Sequence, residues 1–279
     1  MKHLDNYEKL SRELSQVDLS AILFPHEYSE WSGLSDVVRE KMLHSLCTQP
    51  VFHDDYLAYL IYHRVKWVKA FKHCLPQKGA TVLEVGSGSS VNFFNALEIH
   101  DAGAKYITAN MNKILTAGLR ENTAHSPLSI QIIEDDANNI LNYLPAESVD
   151  AVGFEHSVND VLQAIVCEAK GHDTTNSDWF EFLPEMIKIF CTEFENKNLE
   201  SIAKKQFLSL ITNCLAVIKP GGYLIMSHYM FQYDLDLGYN PRLWEDILVV
   251  MRPWLHELGV GKEVQIEGFD PQWWLFYQK

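Results

Sequence analysis

Apolar residues recur at three- and four-residue steps in the N-terminal part of the chain. Leu57, Leu60, Ile61, Val65, Val68 and Leu75 are the clearest run and predict a helix over residues 56–75. Residues 1–79 read as helical, closed by a Pro76-Gln77-Lys78-Gly79 linker. From Ala80 the texture changes to short apolar runs alternating with helical stretches, the pattern of βαβ units around a parallel sheet. Strands are expected at 81–85, 106–109, 129–133 and 149–154, with helices over 92–99 and up to about residue 119. The stretch 161–205 exceeds what a crossover needs. It is helical in texture, is broken at Gly171-His172-Asp173-Thr174-Thr175-Asn176, and is expected to cover one end of the sheet. A helix over 207–218, the turn Lys219-Pro220-Gly221-Gly222 and a strand at 223–226 follow. Val264-Gln265-Ile266 and Trp273-Trp274-Leu275-Phe276-Tyr277 close the chain as a pair of strands. The count is seven, so the expected fold class is α/β: a doubly wound, mostly parallel seven-stranded sheet. A helical segment (1–79) precedes an α/β domain (80–279) that carries a helical insertion (161–205).

Composition narrows the function classes. Of 279 residues, 47% are hydrophobic and 22% charged, as in soluble globular proteins. No run approaches the roughly 18 apolar residues of a membrane span, and the N-terminus lacks a signal-peptide core. A cytoplasmic location is expected. The net charge of −14 repels polyanions, so neither nucleic acid nor an anionic membrane is expected as a partner. Arg64, Lys66, Lys69 and Lys72 fall at helical spacing and read as a solvated helix face. Cys47, Cys74, Cys167, Cys191 and Cys214 are scattered without a C-x-x-C pair, which points to reduced, buried thiols.

The strongest local signal is Glu84-Val85-Gly86-Ser87-Gly88-Ser89-Ser90, between a strand and a helix. Glycine lets the backbone turn tightly and approach a ligand, and the helix N-terminus beyond offers unpaired N–H groups. Asp136-Ala137 follows the third strand, Ser148-Val149-Asp150 opens the fourth, and Lys219-Pro220-Gly221-Gly222 precedes the fifth. On these residues the chain from Ala80 onward resembles the class I S-adenosylmethionine-dependent methyltransferases.

The resemblance implies S-adenosylmethionine as cofactor. It places Glu84, Gly86, Ser87 and Gly88 around the methionine part, Met111 against the adenine, and Asp136 with Ala137 at the adenine amino group. The family's ribose-gripping carboxylate is replaced by Asn110, which can accept one hydrogen bond but cannot form a charge-assisted pair. A helix N-cap is the plainer reading of Asp136.

Chemistry in such sheets sits at the carboxyl ends of the strands. The fourth strand exits into Phe154-Glu155-His156-Ser157-Val158-Asn159-Asp160, a polar group after an apolar run. Methyl transfer needs an aligned acceptor that has lost its proton. His156 is the first candidate base. Asp160 or Glu155 would orient it, Glu155 also bordering the cofactor, and His228 is the second candidate. Each histidine is equally well explained as a loop or satisfied core residue. A metal site from His156, Asp160 and His228 lacks the family's ligand pattern, and no metal is expected. Tyr28, Trp31, Tyr56, Tyr59 and Tyr62 form either an aromatic lid or core, and Trp179 and Phe180 share that ambiguity. The expected partner is a small-molecule acceptor methylated at O or N, with a homodimer left open. The alternatives are an aminopropyltransferase using Glu134-Asp135-Asp136, a dehydrogenase, whose G-x-G-x-x-G loop is broken here, and a non-catalytic partner-binding subunit.

Overall fold

The computed structural model describes residues 17–48, 51–52 and 56–279. The earlier part of the expected helical segment lies outside them, as do the side chains of Cys47 and Tyr56. Helices α1 (Pro25–Gly33), α2 (Asp36–Thr48) and α3 (Tyr56–Cys74) and a short β1 (Val51–Phe52) precede the sheet. There follow β2 (Thr81–Val85), α4 (Asn92–His100), β3 (Lys105–Ala109), α5 (Lys113–Thr123), β4 (Ser129–Ile133) and β5 (Val149–Glu155). Then come α6 (Val158–Ala169), α7 (Trp179–Glu195), α8 (Leu199–Val217), β6 (Ile218–Ser227) and β7 (Met230–Phe231). The chain ends with α9 (Gln232–Asp236), α10 (Pro241–Leu258), β8 (Lys262–Glu263) and β9 (Trp274–Gln278).

The main sheet runs β4-β3-β2-β5-β6-β9-β8. Its first five strands are parallel, and β9 runs antiparallel between β6 and β8. This is the class I methyltransferase-like α/β sheet. The antiparallel strand separates it from the 3-2-1-4-5-6 order of dinucleotide-binding dehydrogenases. Val82, Leu83, Val152 and Ile225 are buried, as strands covered on both faces require. Gly153 makes room for Phe93: a Cβ there would lie 2.3 Å from the ring.

Helix α3 is the layer on which the N-terminal helices and the sheet meet. Trp67 and Phe71 pack edge-on against Phe93 at 4.5 and 5.0 Å. Along the same helix, Leu57, Ile61 and Val65 form a second core with Trp31 and Ile22. The helix is therefore buried on most sides, and of the basic residues whose spacing suggests a solvated face only Lys72 is exposed, Lys69 being half-buried and Arg64 and Lys66 buried. Arg64 is 1% exposed and pairs with Glu27 at 3.1 Å, and Lys66 donates to the Gly268 carbonyl at 2.8 Å. Long aliphatic stems allow such burial once the charged tip finds acceptors.

Other departures from the expected elements are local. Lys219-Pro220-Gly221-Gly222 lies inside β6, where pairing with β5 is irregular and resumes at Tyr223. Gly221 has φ +79 there. The penultimate strand is Lys262–Glu263 rather than 264–266. Helix α8 begins at Leu199, eight residues before the expected start, and α10 had no counterpart in the sequence reading. Asn240 caps α10 by accepting from Arg242 N, Pro241 opens it, and Gly259 ends it at φ +72. Cys74, Cys167, Cys191 and Cys214 are buried free thiols, as expected. Among the described residues, no helix is long and apolar enough to cross a membrane.

Candidate active site

The carboxyl ends of β2, β3, β4 and β5 open into one cleft, with about 740 Å³ of empty space partly continuous with solvent. Gly86 and Gly88 contribute from the β2 exit, Asn110 and Met111 from β3, Asp136 and Ala137 from β4, and Ser157 with Asp160 from β5. Gly86 has φ +71, and a Cβ on it would lie 3.1 Å from Ser157 Cβ. Only glycine keeps this corner open. Ser157 Oγ in turn donates to the Val85 carbonyl at 2.5 Å, tying the β5 exit to the glycine loop.

Asn110, which borders the cleft, donates Nδ2 to the Gly88 carbonyl at 2.7 Å, and among the described residues none donates to its Oδ1. Asp136 caps the short 3₁₀ helix Ala137–Asn142: Oδ1 accepts from Asn138 N at 2.8 Å and Asn138 Nδ2 at 3.1 Å. Its capping role is thus real and uses Oδ1, and the residue also lines the cleft. Two other loop residues stand behind the wall. Glu84 is 1% exposed, accepts from Tyr106 Oη at 2.5 Å, and is held well above the usual carboxylate range by burial. Ser87 Oγ lies 2.9 Å from Thr108 Oγ1. Both brace the loop from beneath.

A second, drier cluster adjoins the cleft at the β5 and β6 exits. Tyr229 donates to Glu155 Oε1, and Tyr59 Oη lies 3.0 Å from Tyr229 Oη. Asn92 Nδ2 donates to Tyr59 Oη at 2.8 Å. Since Tyr229 gives its proton to Glu155, Tyr59 must donate to Tyr229, and all three donors point toward the carboxylate. His63 Nδ1 stands 3.7 Å from Glu155 Oε1. Burial pushes Glu155 up to about 7, and the Tyr229 bond opposes the rise.

His156 adopts φ +53, an uncommon backbone for a residue with a Cβ. Its ring stacks on Tyr229 at 4.1 Å and on His228 at 5.3 Å. Nδ1 is buried without a partner, so the expected carboxylate pairing with Asp160 or Glu155 is not formed. The residue is half-buried, and the cleft wall beside it is made by Ser157 and Asp160. Burial, then the charges of His228 and His63, hold His156 well below its ordinary value, so the ring is neutral. His228 is 1% exposed, has Nε2 3.0 Å from the Trp244 carbonyl and is pushed down to about 3 by burial. It lies beneath His156, away from the cleft wall. Asp160 is on that wall and is raised to about 8 by burial, then by the charges of Asp234 and Glu155.

Several wall residues escaped sequence reading. Val161, Ala164, Ile165 and Glu168 of α6 face the cleft at helical spacing, and Leu210 of α8 joins them. Trp179, read as lid or core, borders the cleft, while Phe180 is 60% exposed. Trp31 is core. Asn112 holds the polar break of the insertion in place by donating to the Thr174 and Ser177 carbonyls, both at 2.9 Å, while capping α5 through Leu115 N. The signal for that anchor was the cap residue itself. Glu134 pairs with Arg120 at 2.7 Å, and Asp135 accepts from Tyr143 at 2.7 Å. Glu134 and Asp135 of the acidic run are thus engaged with neighbouring side chains, and Asp136 alone of the three lines the cleft. Among the described residues, no three His, Cys, Asp or Glu side chains converge as metal ligands.

No protein-family model matches the chain, and no curated relative does. Solved structures share its architecture at low identity. A SAM dependent methyltransferase from Aquifex aeolicus is 14% identical over 76% of this chain and 87% of that one, with a TM-score of 0.43. A protein assigned as an S-adenosyl-L-methionine-dependent methyltransferase from Methanococcus maripaludis is 13% identical over 76% and 83%, TM-score 0.46. One assigned as an rRNA-methylase from Clostridium thermocellum is 10% identical over 76% and 90%, TM-score 0.42. These are likenesses of fold and carry no acceptor.

Proposed function

We propose that the protein is an S-adenosylmethionine-dependent methyltransferase acting on an O or N atom of a small molecule. The observation that carries this reading is the cleft itself. Three consecutive strand ends bring an open glycine corner, an amide and a carboxylate to one wall of a class I methyltransferase-like sheet. When bound, the cofactor supplies an electrophilic methyl group. Gly86 and Gly88 let the backbone close on its amino-acid end, with Glu84 and Ser87 bracing the loop. Asn110 Oδ1 accepts from a ribose hydroxyl, Met111 packs on the adenine, and Asp136 Oδ2 accepts from the adenine amino group, with Ala137 beside it.

We assign the acceptor's proton to His156 or Asp160; Asp160 lines the cleft, and His156 adjoins the cleft residue Ser157. A neutral imidazole can accept a proton directly, whereas Asp160, raised to about 8, accepts one only after losing its own. His228 acts by fixing the plane of His156, and Glu155 by anchoring the donor chain that closes the site.

Calorimetry with S-adenosylmethionine and S-adenosylhomocysteine tests the reading. Both are expected to bind with micromolar affinity, and Gly86→Arg abolishes both while leaving the circular dichroism spectrum intact. Wild-type protein that takes up neither compound would contradict it.

A further inference from the structure

Asn159 is 2% exposed and donates Nδ2 to Asp160 Oδ1 at 2.8 Å. The Oδ1 on the same amide is buried and has no hydrogen-bond partner. A lone acceptor therefore sits beside a carboxyl on the cleft wall. Tyr239, also 2% exposed, has a hydroxyl without a partner, and its backbone N donates to the Asp234 carbonyl at 3.0 Å. Trp244 packs on Tyr239 at 4.1 Å and on His156 at 5.6 Å, so hydroxyl and imidazole flank one indole.

Asp234 is 8% exposed, and burial pushes it up to about 7. Asp160, on the cleft wall, is raised first by burial and then by the charges of Asp234 and Glu155. Among the described residues, no Lys or Arg pairs with any of them. The rings of His63 and His156 beside the group are both kept neutral by burial. Buried carboxyls without a cation and buried acceptors without a donor are both costly, and one ligand group would relieve both.

We propose that this part of the cleft wall is the acceptor subsite and that the acceptor is an amine, bound as its ammonium. An ammonium brings several N–H donors to Asp160 and Asn159 Oδ1, and its positive charge favours the ionised form of a carboxyl that otherwise keeps its proton. An alcohol brings one donor and no charge, and a carboxylate or phosphate would be repelled. The assignment rests on the methyl-transfer reading and narrows its substrate class.

The test is calorimetry on protein saturated with S-adenosylhomocysteine, using benzylamine (cationic at pH 7) and benzyl alcohol as a matched pair. Benzylammonium is expected to bind at least tenfold more tightly than the alcohol. Asp160→Asn removes that preference and changes S-adenosylhomocysteine affinity less than twofold. Asp234→Asn serves as a second variant should the first fail to fold, and it weakens benzylammonium in the same direction. Equal affinity for the two probes, or no uptake of benzylammonium, overturns the proposal. So does an equal loss of S-adenosylhomocysteine affinity in Asp160→Asn, which would give the carboxyls to the cofactor's own α-ammonium. Wild-type protein that ignores S-adenosylhomocysteine fails at the earlier step and overturns both readings.

Discussion

Asn110 illustrates how one side chain adapts a familiar site. Its Nδ2 holds the Gly88 carbonyl, and the residue borders the cleft. A carboxylate could not make the first contact. Asn110→Asp would set two acceptors against each other in a buried position, and a lost hydrogen bond of this kind costs about 1–2 kcal/mol. We expect S-adenosylhomocysteine binding to weaken about tenfold in calorimetry, even though the change restores the acid found in the resembled family. Unchanged or tighter binding would show that the Gly88 contact is dispensable. The amide was visible in the sequence as a departure, but its partner was not. Gly88 lies 22 residues away, and only the parallel register of β2 and β3 brings the two together. Asp136 shows the same limit. Its Oδ1 makes the capping bonds to Asn138, while the residue as a whole also lines the cleft.

At the scale of elements, the polar chain Asn92–Tyr59–Tyr229–Glu155 joins the helix after the glycine loop, the buried helix α3 and two strand exits. Tyr229→Phe removes the donor that Glu155 accepts and the oxygen toward which Tyr59 donates. Leaving buried polar groups unsatisfied costs about 1–3 kcal/mol. The urea midpoint should fall accordingly, with amide exchange rising along α3 before the sheet. A midpoint equal to wild type would mean that the chain contributes nothing to holding α3. The β-strands were legible because parallel strands buried on both faces read as unbroken apolar runs. Helix α3 was legible as a helix but not in its surroundings, because Arg64 and Lys66 hide charged tips against acceptors from distant segments. The polar chain was not legible at all, since its four members come from four separated elements.

For the whole molecule, two sets of buried groups set the pH dependence of stability in opposite senses. His63, His156 and His228 are depressed, so the unfolded chain takes up protons below about pH 6.5 that the native fold refuses. Their contribution is complete above that pH and is lost as the pH falls. Glu155, Asp160 and Asp234 are raised to about 7, 8 and 7, so the native fold keeps protons that the unfolded chain has already released. Their contribution favours folding at low pH and is lost as the pH rises through those values. The two slopes oppose each other below about pH 6.5, and above it only the carboxyls act. The thermal midpoint is therefore expected to drop by a few degrees between pH 6.5 and 8, followed by differential scanning calorimetry. A midpoint that rises over this interval would mean that these carboxyls are ionised and paired.

The account stands on where a ligand lies relative to the strand ends, and a crystal grown with S-adenosylhomocysteine shows this most directly. The predicted result is the compound lying along the β2, β3 and β4 exits, with a ribose hydroxyl on Asn110 Oδ1, the adenine between Met111 and Asp136, and its sulfur toward His156 and Asp160. Density confined to another surface, or a cleft that takes a nicotinamide dinucleotide instead, would contradict it.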